Sequence, residues 1–126
     1  MSENNQAKPQ LSRLHVGARL SEAAIFNGVV YLAGQVPDDA SLALDIEGQM
    51  QNVLQQIDSL LAQAGSDKSR VLMCQIYLPD LADYDGMNRA WDAWVSPGNA
   101  PPRATVQAKL ANPAWRVEVV LSAAQY

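Results

Sequence analysis

The stretch from Ile46 to Ala64 limits what this chain can fold into more than any other. Its apolar residues Ile46, Met50, Val53, Leu54, Ile57, Leu60, Leu61 and Ala64 recur at steps of three and four. That spacing traces one stripe along an α-helix, and the stripe needs a second layer to bury it. Asp45 stands where an N-cap accepts from the first free amides, and Gly65 follows the last turn as a C′ residue does. A second periodic segment, Leu81, Tyr84, Met87, Asn88, Trp91, Trp94 and Val95, predicts a second helix, stopped by Ser96-Pro97-Gly98-Asn99.

The covered layer reads as sheet. Ala23 to Phe26 and Val29 to Ala33 flank Asn27-Gly28, a hairpin signal because both turn residues must accept positive φ. Gly34-Gln35-Val36-Pro37-Asp38-Asp39 then ends the second strand with turn formers. Val71 to Leu78 is β-prone and stopped by Pro79. Ala104 to Leu110 and Trp115 to Ala124 predict two closing strands joined by a turn at Asn112-Pro113. In the first, Arg103, Thr105, Gln107 and Lys109 alternate with Ala104, Val106, Ala108 and Leu110. In the second, Val117, Val119 and Leu121 oppose Arg116, Glu118, Val120 and Ser122. The expected order is ββαβαββ, an α+β fold with two helices on one face of a mixed, largely antiparallel sheet. The other face, small and apolar in character, is left bare, and self-association is the economical cover.

A chain of 126 residues suits one domain. Residues 1–12 read as a flexible polar tail and 13–126 as the domain. Hydrophobic residues at 48% and charged residues at 17% describe a globular chain, and the net charge of −4 argues against a nucleic-acid partner. Neither a signal peptide nor a membrane span is visible, so a cytoplasmic protein without a membrane partner is expected.

Cys74 is the only cysteine and His15 the only histidine, which removes disulfides and His- or Cys-rich metal clusters. Cys74 sits in an apolar run and reads as a core residue; His15 reads as a surface or interface residue. Neither phosphate-loop pattern is present, so no cofactor is expected. The Asp38-Asp39 and Asp83-x-Asp85 pairs read as helix or turn caps, and Trp91 and Trp94 as packing. Arg103, delivered into a strand by Pro101-Pro102, reads either as a strand charge or as a bidentate carboxylate clamp. Glu118, between Val117 and Val119, could pair with Arg103, act as a general acid/base, or order a water.

Together these segments resemble the YjgF/RidA family, in a divergent branch. The resemblance rests on Asn27 to Pro37, on Leu54 to Gly65 with Arg70 to Asp80, on Asn88 with Trp91 and Trp94, and on Pro101-Pro102-Arg103-Ala104-Thr105 with Val117-Glu118-Val119. It implies a chorismate-mutase-like fold and a homotrimer with clefts between subunits. It also implies hydrolysis of enamine/imine intermediates to 2-oxo acids and ammonia, with no metal or cofactor. By position, Arg103 would bind the substrate carboxylate, Ala33 and Gly34 would line the cleft with Asn88 and Thr105, and Glu118 would complete the catalytic set. The chain departs from the deaminase branch at Leu20, at Ala33, and at Val120, where a Glu is usual. A non-catalytic binder or sensor of small carboxylates on the same trimer is the alternative. Relatives have also been described as endoribonucleases, a reaction for which this acidic chain lacks a histidine pair.

Overall fold

The computed structural model describes residues 10–126; most of the tail expected over 1–12 lies outside that range. Six strands form one sheet in the order β1-β2-β3-β6-β4-β5, with β1 (Ser12–Val16), β2 (Ser21–Phe26), β3 (Val29–Leu32), β4 (Val71–Leu78), β5 (Arg103–Gln107) and β6 (Glu118–Ala124). Helices α1 (Ile46–Gln63) and α2 (Tyr84–Trp94) complete the α+β layer. All neighbouring strands are antiparallel except β4 and β5, which run parallel because α2 carries the chain back between them.

Local signals account for most element ends. The β2–β3 turn places Asn27 at φ 53° and Gly28 at φ 76°, the geometry of a two-residue hairpin. The Asp45 carboxylate accepts from the Gly48 amide at 2.8 Å. Gly65 sits at φ 79°, where the Ser66 amide donates to the Leu61 carbonyl and the Gly65 amide to the Ala62 carbonyl, closing α1 with a Schellman motif.

Three expectations need correction. A strand, β1, precedes the expected hairpin, so the order is βββαβαββ. It escaped the pattern because only Leu14 of its five residues is partly buried, and its stability comes from backbone pairing to β2 rather than from an apolar face. The last two strands are shorter than the pattern suggests and are not neighbours, since β4 lies between β5 and β6. Residues 114–116 stay out of the ladder because the buried Gln49 side chain takes their backbone groups. Its Nε2 donates to the Ala114 carbonyl at 3.1 Å and its Oε1 accepts from the Arg116 amide at 2.8 Å.

The core lies between helices and sheet: Met50, Val53, Ile57 and Leu61 of α1 and Met87 of α2 meet Val30, Cys74, Ile76, Val117 and Val119, each at most 2% exposed. The opposite sheet face carries no helix. Register places Ala24, Tyr31, Ser122, Met73, Gln75, Val120, Tyr77, Glu118, Ala104 and Val106 on it. Tyr31, Met73 and Val106 are exposed there, so the expected bare face is present.

Candidate functional site

Arg103 opens β5 opposite Cys74 of β4, and the Cys74 amide donates to the Pro102 carbonyl at 3.0 Å. Neighbours in a ladder share a face, so Arg103 lies with Cys74 on the helix-bearing side, at the edge of the sheet. There it meets Tyr84, Met87, Asn88 and Trp91, which share one face of α2 by their three- and four-residue spacing. Its Nη1 donates to Asn88 Oδ1 at 2.8 Å and lies 4.0 Å from Met87 Sδ. Its Nη2 stands 3.5 Å from the Tyr84 hydroxyl, and the guanidinium carbon is 5.0 Å from the centre of the Trp91 ring.

Every one of these partners is neutral. Among the described residues the ion pairs are Arg89–Glu47 and Arg116–Asp83, and neither involves Arg103. A half-buried guanidinium stacked on an indole and steered by an amide, with its charge unmatched, is arranged to accept an anion. Thr105, two residues along the same side of β5, has a buried Oγ1 without a hydrogen-bond partner.

Glu118 lies on the other face. Tyr31 of β3 pairs with Ser122 and Gln35 with Val119, so three residues on one side oppose two on the other, a β-bulge at the end of β3. The bulge carries Ala33 and Gly34 past Glu118. A Cβ on Gly34 would collide with the Glu118 carboxylate, so the missing side chain is what lets the acid lie against this strand end. Glu118 also borders a depression of about 280 Å³ with Tyr77, Lys109 and Val120. A second, of about 350 Å³, lies alongside over Tyr31, Met73, Gln75 and Val120. Glu118 and Val120 share this face, as strict alternation requires.

The structure therefore brings together Arg103 with Asn88, and Gly34 with Glu118, but on opposite sides of the sheet in one chain. A direct Arg103–Glu118 pair, one of the readings open from sequence, is not formed. Cys74 is buried, and burial pushes its thiol up to about 12 against the opposing charge of Arg103, which suits a core residue. His15 is exposed and its ring bonds Gln63. Asp80 and Asp45 cap helical turns through their side chains, whereas Asp83 does not. Instead it binds the Arg116 guanidinium twice, at 3.0 and 2.7 Å.

Two participants were missed from sequence. Trp91 packs against Trp94, with ring centres 5.4 Å apart, but also carries Arg103. In the sequence Tyr84 shows only as a member of the apolar periodicity. The shared α2 face of Tyr84, Asn88 and Trp91 was the available signal; that Arg103 faces it depends on the parallel β4–β5 register.

Residues 10–125 match the endoribonuclease L-PSP family. The chain belongs to that family, the YjgF/RidA family of the sequence resemblance. A RutC family protein of Haemophilus ducreyi is 55% identical, over 90% of this chain and 96% of its own. The RutC family protein YoaB of Escherichia coli K12 is 46% identical, over 89% and 96%. A crystal structure of a YjgF family member from Neisseria meningitidis superimposes with a TM-score of 0.88 at 44% identity, covering 93% of this chain and 96% of that one. Among the described residues no helix is long and apolar enough to cross a membrane.

Proposed function

We propose that this YjgF/RidA member hydrolyses small imino acids to 2-oxo acids and ammonia in clefts between the subunits of a homotrimer. The observation that carries the reading is the Arg103 guanidinium, held by Asn88 and Trp91 and left without a carboxylate partner. A substrate carboxylate supplies the missing charge in the two-pronged geometry that arginine favours.

The second half of the site is Glu118 over Gly34. Its carboxylate takes a proton from water as the water oxygen bonds to the C=N carbon. Glu118 returns that proton to the nitrogen to give a carbinolamine, whose hydroxyl proton then passes to the nitrogen as the C–N bond breaks, releasing ammonia and leaving the ketone. Because Arg103 and Glu118 lie on opposite faces of one chain, the reading requires the Arg103 edge of one subunit to stand beside the Gly34–Glu118 strand end of its neighbour. A trimer packed through its bare sheet faces provides such clefts. Thr105 and Ala33 would border them. The small-carboxylate partner and the cytoplasmic location expected from sequence belong to the same proposal, and no metal or cofactor enters the chemistry. The ribonuclease in the family's description gains no support here, since the one histidine is bonded to Gln63 away from Arg103 and Glu118.

Mixing two inactive variants tests both chemistry and geometry. Arg103→Ala and Glu118→Gln should each abolish acceleration of 2-aminoacrylate breakdown. Random co-assembly of equal amounts should restore about a quarter of the sites, because a subunit with intact Arg103 then meets a neighbour with intact Glu118. Recovery of no activity would rule out the shared cleft. The separation of the two groups also favours the carboxylate-sensor alternative, which predicts Arg103-dependent binding of 2-oxobutanoate by the unmodified protein with no imine turnover.

A further inference from the structure

We propose that Tyr84 is a substrate-binding residue whose hydroxyl shares the bound carboxylate with Arg103. This rests on the reading of Arg103 as the carboxylate clamp. Arginine has donors and no acceptor, so toward Nη2 the phenol oxygen can only accept. At 3.5 Å that contact is too long to be a strong bond. No acceptor within the described residues receives the Tyr84 O–H, and the residue is 42% exposed.

Tyr84 thus offers an O–H that no protein acceptor among the described residues takes, standing beside a cation that no protein carboxylate among them pairs. One carboxylate oxygen placed against Nη2 can receive from both. Because the acceptor is an ionised carboxylate, each of these bonds is stronger than one between neutral groups. Asn88 differs: its carbonyl oxygen is already taken by Nη1 at 2.8 Å, which makes it a positioning residue for the guanidinium. The α2 face therefore divides its work, with Asn88 and Trp91 aiming Arg103 and Tyr84 adding a neutral donor next to it.

The test is calorimetric titration of the intact protein with 2-oxobutanoate, comparing unmodified protein, Tyr84→Phe, Arg103→Ala and the double variant. Tyr84→Phe removes one oxygen and keeps the ring, so its melting temperature should stay unchanged. Its affinity should fall about tenfold, the scale of a hydrogen bond to a charged group. The double variant should bind no more weakly than Arg103→Ala alone, because the hydroxyl acts on a carboxylate that Arg103 holds. Undiminished affinity in Tyr84→Phe, with binding lost in Arg103→Ala, overturns the role of Tyr84 and leaves the clamp standing. Undiminished affinity in Arg103→Ala overturns the clamp itself.

Discussion

At the scale of single residues, the environment decides between a reactive group and an inert one. Cys74 has Arg103 as its ladder neighbour, a placement that would ordinarily favour a thiolate. Burial wins: desolvation raises the thiol from 9.0 to about 12, and the arginine only opposes that shift. The neutral thiol is therefore preferred in the folded state. Its contribution to stability is fully present below pH 9.0 and is lost as pH rises towards about 12. Iodoacetamide at about pH 8 should modify the urea-unfolded chain and spare the folded one. Urea titrations should show stability falling above pH 9.0, with a shallower fall in Cys74→Ala. Gly34 illustrates the opposite case, in which the absence of a side chain is what the packing requires, since it leaves room for the Glu118 carboxylate.

At the scale of elements, two helices with legible stripes are joined to the sheet by polar side chains that no periodicity marks. Gln49 is fully buried among the apolar positions of α1. It bonds the Leu42 and Ala114 carbonyls and the Arg116 amide, standing in for the strand neighbour that residues 114–116 lack. Gln49→Leu keeps the volume and strands those backbone groups. Urea unfolding should show a loss of about 2–4 kcal/mol, well above the cost of an exposed substitution. Arg116 and Asp83 make a second such tie, between the turn leading into α2 and the approach to β6. Asp83 holds the Arg116 guanidinium above its ordinary range, with burial opposing, so this contribution persists through neutral and mildly alkaline pH and is lost only as strong alkali removes the guanidinium proton. Reading Asp83 as a cap missed this tie because its partner is 33 positions away in sequence.

At the scale of the whole molecule, the sheet face bearing Tyr31, Met73 and Val120 is the surface through which the proposed trimer would close. Sedimentation equilibrium should return three times the chain mass of 13.7 kDa. Tyr31→Glu with Met73→Glu, which places charge on that face without touching the core, should give the monomer and remove imine hydrolysis. The α1 stripe and its caps, the Asn27-Gly28 hairpin, the alternation around Glu118 and the family motifs were all legible in the sequence, because each depends on residues close together along the chain. The edge strand β1 was not, since backbone pairing holds it and leaves no apolar pattern. Nor was the placement of Arg103 and Glu118 on opposite faces, because alternation fixes sides only within a strand. Local chemistry thus determined every element but β1 and singled out Arg103, Gly34 and Glu118 as candidate site residues. Which of those residues meet was decided by the parallel register of β4 and β5 and the bulge at Gly34, products of long-range pairing that no short stretch of sequence encodes.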